Sequence, residues 1–276
     1  MNGPQREEDH ALNRVALRTA FRLLALAGLL STSALAAQAP AAAAQTKAAP
    51  APAAVPLPVE QKSNEYNAKL DWPWLDKFKE ADLALGPPAP GENRVVFLGD
   101  SITQSWKIEG PSGLFPGKPY INRGISGQTT PQMLLRFRQD VIALKPKVVV
   151  ILAGTNDIAE NTGPMTLEES AGNLISMVEL AAANQIRVVL CSVLPAYDFP
   201  WHPGLDPSPR IVELNAWISN YAAEKGYVYV DFYSAMKDER GGLPAKLSRD
   251  GVHPNPAGYA IMTPLVEAGI QKALAQ

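Results

Sequence analysis

Four short runs of the chain are almost continuously apolar and rich in β-branched residues: 94–99 (RVVFLG), 147–153 (KVVVILA), 186–193 (IRVVLCSV) and 227–231 (YVYVD). A strand with one wet face alternates apolar and polar residues. Runs without alternation predict strands buried on both faces, as in a parallel sheet. A weaker fifth run is 119–122 (PYIN). The segments between them repeat apolar residues at helical spacing. Thr130 precedes Pro131, with Leu134, Phe137, Val141 and Leu144 along one face. Thr166 and Glu169 have capping-box spacing ahead of Leu174, Ile175 and Val178. Ser208 and Pro209 open a third pattern of Ile211, Leu214, Ile218 and Tyr221, which Gly226 closes. Asn255 and Pro256 open the last, with Tyr259, Met262, Val266 and Ile270 on a stripe. A less periodic helix is expected over 65–85. Strand–helix alternation of this kind predicts an α/β domain, a parallel sheet with helices on both faces.

The first part of the 276-residue chain does not fit this pattern. Arg6, Arg14, Arg18 and Arg22 precede an apolar run over 23–36 that is short for a bilayer span. It ends in small residues, Ala34-Leu35-Ala36 and Ala37-Gln38-Ala39. A basic start, a short apolar stretch and an A-x-A exit describe a secretory signal peptide. We therefore expect residues 1–36 to direct export to the periplasm or the medium, with no stable membrane span in the mature chain. Residues 37–59 are nearly all Ala and Pro and read as a linker, leaving 60–276 for one domain.

Net charge is −2, and no basic run survives beyond the signal region, which argues against a nucleic-acid surface. The one cysteine, Cys191, excludes an internal disulfide and a multi-thiolate metal site, and its apolar setting reads as core. Three histidines exist. His10 belongs to the signal region, which leaves His202 and His253 for chemistry.

In an open parallel sheet, ligands bind beyond the carboxyl ends of the strands, where strand order reverses. The first strand exits into Gly99-Asp100-Ser101-Ile102, where a tight turn would present the serine hydroxyl, or merely cap a helix. A second exit reads Asn122-Arg123-Gly124-Ile125-Ser126-Gly127-Gln128, whose glycines allow close backbone approach. A third reads Ala153-Gly154-Thr155-Asn156-Asp157, where an asparagine can offer its amide to a site or serve a turn. Near the end, Asp250 and His253 stand three apart before the last helix. A carboxylate–imidazole bond between them would fix the tautomer that lets the second ring nitrogen take a serine proton.

These four segments, in this order, resemble the blocks of the SGNH hydrolases, or GDSL esterases. Ser101 matches the block I serine, Gly127 the block II glycine, Asn156 the block III asparagine, and Asp250 and His253 the block V pair. The resemblance runs from about residue 94 to the C-terminus and is similar in flavour to platelet-activating-factor acetylhydrolase-like and carbohydrate acetylesterase-like members. Ile102 stands where the GDSL name has Leu. The resemblance implies a five-stranded, flavodoxin-like three-layer α/β/α sandwich with its switch point between the strands bearing Ser101 and Asn156. It implies Ser101 as nucleophile, His253 as base, Asp250 as its orienter, and an oxyanion hole of the Ser101 and Gly127 N–H groups and the Asn156 amide. No cofactor or metal is needed.

No G-x-S-x-G elbow and no H-E-x-x-H occurs, and Gly117-Lys118 lacks the glycine of a P-loop at Ser112. The expected reaction is hydrolysis of short, acetyl-type esters of small molecules or glycans. An O-acyltransferase on exported polysaccharide and a lysophospholipase or thioesterase use the same residues. The proline-rich loop 197–209 carries Trp201 and His202, which could line a substrate rim or pack a long connection; Trp106 invites the same two readings. Oligomeric state is not legible.

Overall fold

The computed structural model describes residues 68–110 and 112–276; the expected signal peptide and linker, 1–59, lie outside the described residues. Five strands form the sheet: β1 (Val95–Gly99), β2 (Tyr120–Gly124), β3 (Val148–Leu152), β4 (Arg187–Cys191) and β5 (Val228–Val230). All pairings are parallel, in the order β2-β1-β3-β4-β5. The chain thus steps one way from β1 to β2 and the other way from β3 onward. The crevice between β1 and β3 is the switch point, and their exits carry Ser101 and Asn156.

Alternate residues of each strand feed two cores. Val96, Leu98, Val149, Ile151, Val188 and Leu190 face α3 (Thr130–Asp140), α5 (Leu167–Ala183) and α6 (Ser208–Lys225). Val95, Phe97, Val148, Val150, Val189 and Cys191 face α2 (Ser101–Ser105), α7 (Phe232–Met236) and α8 (Pro256–Leu274). Both faces are dry, so the strands have no polar alternation. A one-turn α4 (Thr155–Ile158) follows β3, and the short α1 (Lys79–Leu85) precedes β1. Among the described residues no helix is long and apolar enough to cross a membrane.

The caps agree with the sequence at Thr166–Glu169 and at Asn255, whose carboxamide oxygen accepts from the N–H groups of Ala257 and Gly258. Two expectations need correction. The cap of α3 is Thr129, not Thr130, because Thr129 and Gln132 form the reciprocal capping box. The expected helix over 65–85 is helical only from Lys79 in the described part. Pro73 removes a helical donor, and the Asp71 carboxylate takes the N–H groups of Leu75 and Asp76, turning 71–76 into a strap.

The helix that carries Ser101 sits hard against the sheet. A Cβ added at Gly124, the last residue of β2, would lie 2.1 Å from the backbone nitrogen of Gln104. Only glycine lets α2 approach this closely.

Candidate active site

Ser101 is the first residue of α2, in the tight turn leaving β1. Beneath it, buried Asp100 caps the helix, its Oδ1 accepting from Ile102 N at 2.9 Å. The cap at Asp100 and the part-buried Ser101 hydroxyl are therefore neighbours. His253 reaches Ser101 from the loop before α8: Oγ and Nε2 are 2.9 Å apart. The other ring nitrogen, Nδ1, lies 2.6 Å from Asp250 Oδ2. A carboxylate there requires Nδ1 to carry the proton, so Nε2 is the acceptor for the serine hydroxyl.

Asp250 is held by its own turn. Oδ1 accepts from the N–H groups of His253 and Val252, at 2.8 and 3.0 Å, and lies 3.0 Å from the Ser248 hydroxyl oxygen. Partial burial pushes this carboxyl upward, but the His253 N–H, the imidazole and the Val252 N–H outweigh it and hold it well below the usual range. The group stays ionised at any working pH. Ser248, not foreseen from the sequence, also accepts from Gly251 N at 2.9 Å and donates to the His253 carbonyl at 2.7 Å. Tyr259, on the first turn of α8, donates to Ile102 O at 2.7 Å and ties the histidine's mount to the serine's helix.

Across the crevice lie Gly127 and Asn156. Gly127 has φ +78°, a conformation an L side chain adopts only with strain. Asn156, in the first turn of α4, donates its amide hydrogens to Asp100 Oδ2 at 3.2 Å and to Gln128 O at 3.0 Å. Its Oδ1 accepts from Asn161 Nδ2 at 2.8 Å. The next residue, Asp157, is buried and accepts from the Thr130 N–H at 3.0 Å, from the Thr130 hydroxyl, and from Ser170 Oγ at 3.1 Å, so it pins α3 to α4. Buried Arg136 donates to Gly99 O at 3.0 Å, to Gln128 Oε1 at 2.5 Å and to Asp140 at 2.9 Å. It joins the strand exit bearing Ser101 to the loop bearing Gly127.

Of the three candidate rim residues, one borders the site. The Trp201 ring centroid lies 5.8 Å from that of His253, and its Nε1 donates to Asn161 Oδ1 at 2.9 Å. Trp106 is 2% exposed, packed among Phe97, Phe115, Phe232 and Tyr259, and is core rather than rim. As the C-cap residue of α2, it points into the apolar core on that side of the sheet. His202 is exposed, with Nδ1 3.0 Å from the Ala159 carbonyl. That contact belongs to the loop rather than to the Ser101–His253 pair.

A family model described as GDSL-like Lipase/Acylhydrolase matches residues 97–261, which spans β1 to the first turns of α8 and includes Ser101, Gly127, Asn156, Asp250 and His253. The chain belongs to this family. It is a carboxylic ester hydrolase with the SGNH fold. A solved GDSL-like lipase from Bacteroides thetaiotaomicron is 45% identical, covers 72% of this chain and 98% of its own, and superposes with a TM-score of 0.69. An acetylxylan esterase of Geobacillus stearothermophilus is 28% identical over 204 residues, 61% of this chain and 90% of its own. The platelet-activating factor acetylhydrolase IB subunit alpha1 of Pongo abelii is 28% identical over 196 residues, 67% of this chain and 78% of its own.

In this GDSL-family hydrolase the carboxylate beneath the serine carries a stability consequence. Burial pushes the Asp100 carboxyl up to about 6 from 3.8, against the pull of the Ile102 N–H and of His253. An acid whose native pKa is raised stabilises the fold at pH values below its unfolded pKa. That contribution is lost as pH rises through the native value. Asp100→Asn removes the titration. Relative to wild type, the variant should therefore gain stability between pH 4 and pH 7, by on the order of 3 kcal/mol. Urea unfolding midpoints of both proteins across that range measure it; parallel curves would contradict it.

Proposed function

We propose that the chain hydrolyses short-chain carboxylic esters, acetyl esters foremost, through an acyl-enzyme on Ser101. The observation that carries this reading is the continuous Ser101–His253–Asp250 chain of hydrogen bonds at 2.9 and 2.6 Å. Ser101 Oγ attacks the ester carbonyl carbon as its proton passes to His253 Nε2. Asp250 holds the ring and stabilises the imidazolium. The tetrahedral intermediate collapses, the carbon–oxygen bond to the alcohol breaks, and His253 returns the proton to the departing oxygen. Water then attacks the acyl carbon as its proton passes to His253; the bond to Ser101 Oγ breaks, the acid leaves, and His253 returns the proton to Oγ. The oxyanion is met by the N–H groups of Ser101 and Gly127 and by the Asn156 amide. In the free enzyme that amide is engaged, and its long 3.2 Å contact to Asp100 is the one an oxyanion would replace. Each such donor is worth about a hundredfold or more in turnover.

Support for a short acyl group comes from two similar proteins whose names are acetyl-ester hydrolases. We also read residues 1–36 as an export signal and 37–59 as a linker, which puts the enzyme in the periplasm or outside the cell. The sequence signature of residues 6–39 supports this. N-terminal sequencing of the protein recovered from its native cells should begin near Ala37 or Pro40; a mature chain beginning at Met1 would refute export by cleavage.

A fluorophosphonate should add once per chain, at Ser101. His253→Ala should abolish both labelling and hydrolysis, whereas His202→Ala keeps most of the activity on aryl acetates. Mass mapping of the adduct and initial rates decide this, and labelling at Ser126 or Ser192 would overturn the assignment. On a ladder of aryl esters, kcat/KM should fall by roughly tenfold or more from acetyl to decanoyl. A rate that climbs with chain length would instead favour the lysophospholipase or thioesterase reading.

A further inference from the structure

One cleft of about 450 Å³ opens directly from the Gly127 loop, a size suited to a small-molecule ligand. Its two walls come from distant parts of the chain. The first is the strap 71–76, which presents Trp72 and Trp74. Three glutamines fasten it: Gln128 Nε2 donates to Pro73 O at 2.7 Å, Gln132 Nε2 to Trp72 O at 2.9 Å, and Gln139 Nε2 to Leu75 O. Two of them lie on one face of α3, and Gln128 stands next to Gly127. The strap is therefore bonded to the loop that carries an oxyanion donor. Lys77 adds a hold from outside, its ammonium 4.1 Å from the Trp74 ring centroid.

The second wall is Trp201. Its ring packs on buried Phe199 with centroids 5.2 Å apart, and Asn161 fixes its indole N–H. Asn161 also donates to Asn156 Oδ1 and to Gly127 O, at 2.8 and 3.3 Å. Both walls thus share their fastenings with Gly127 and Asn156. Trp72 and Trp201 are 38% and 44% exposed; the backbone of Trp72 is held by Gln132 and the indole N–H of Trp201 by Asn161.

The lining has a definite chemistry. Three indoles stand among the Ser126 and Thr162 hydroxyls and the Asn161 amide, and among the described residues that line the cleft none is ionisable. Indole faces carry negative charge density that attracts C–H groups presented by a flat ring, while hydroxyl and amide groups pair with ring hydroxyls. A charged headgroup would be desolvated here without a counter-charge, at a cost of several kcal/mol. A long acyl chain would leave the hydroxyls and amides unpaired.

We propose that this cleft binds the alcohol portion of the ester, and that this portion is a neutral carbohydrate ring seated between Trp72 and Trp201. The inference rests on the esterase reading, since it seats the acyl carbon at Ser101 and the sugar beyond Gly127. Binding and turnover can be separated. Ser101→Ala protein titrated with unacetylated xylotetraose, cellotetraose and chitotetraose reports binding by chemical shift, without any hydrolysis.

At least one of the three should bind, and adding Trp72→Ala should weaken that binding by about tenfold. Trp72→Phe, which keeps a ring, should stay within about threefold and controls for local unfolding. In the active enzyme, Trp72→Ala and Trp201→Ala should lower the ratio of kcat/KM on the acetylated tetrasaccharide to that on an aryl acetate by a similar factor. Absence of binding by all three sugars overturns the proposal, as does an unchanged ratio. So does a loss confined to lysophospholipid hydrolysis. Failure of the wild type to hydrolyse any ester would instead strike the esterase reading, and the binding titration would still report on the cleft.

Discussion

The site hangs on one buried guanidinium. Arg136 is fully enclosed between α3 and the carboxyl ends of the sheet, and it bonds the Gly99 carbonyl, the Gln128 side chain and Asp140 at once. A charge in such a place is tolerable only when paired and hydrogen-bonded, and breaking its partnership leaves an uncompensated ion. The consequence is geometric. Gly99 fixes where β1 ends and hence where Ser101 begins, while Gln128 fixes the loop on which Gly127 holds its positive φ. Gln128 passes the constraint outward to Pro73, so the strap, the Gly127 loop and the Ser101 turn share one anchor.

A second set of bonds brings His253 to this platform from the opposite core. His253 stands before α8, whose Met262, Val266 and Ile270 are buried against the other face of the sheet. Burial of such side chains contributes roughly 1.5–3 kcal/mol each and gives α8 a fixed seat. Asn255 caps that helix, Ser248 crosslinks the turn before it, and Tyr259 bonds the backbone of α2. The imidazole is therefore located by packing over a whole helix, and its tautomer is set by one carboxylate. The half-exposed pair Asp250 and His253 keeps its order because backbone N–H groups of the same turn hold the acid.

The crevice between β1 and β3 also collects carboxylates that burial makes costly. Asp100 and Asp157 both have raised pKa values because little water reaches them. Each is offset by donors: Asp100 by the Ile102 N–H and Asn156, Asp157 by Thr130 and Ser170. These bonds tie β1, α3, α4 and α5 together below the reacting atoms. The rim can thus stay open to solvent while its base is rigid, which suits a surface that must admit an ester and release an alcohol.

Much of this was legible in the chain itself. Unbroken β-branched runs state that both faces of each strand are buried, because only a sheet covered on both sides needs no polar alternation. Thr166, Glu169 and Asn255 announce their caps, since those bonds are made within three residues. Asp250 and His253 pair over the same short range, and Ser101, Gly127 and Asn156 each sit at a strand exit. What could not be read is whatever depends on contacts between remote segments. Trp106 and Trp201 are alike in sequence, yet one faces a core of four aromatic rings and the other borders His253. Residues 71–76 leave the helix at Pro73 and the Asp71 turn, but that Gln128 and Gln132 would fasten them as a strap could not be read. Arg136 has a local partner in Asp140, but its bonds to Gly99 O and Gln128, like those of Asn161 to Gly127 O and Trp201, join remote segments that only the folded structure brings within hydrogen-bond reach.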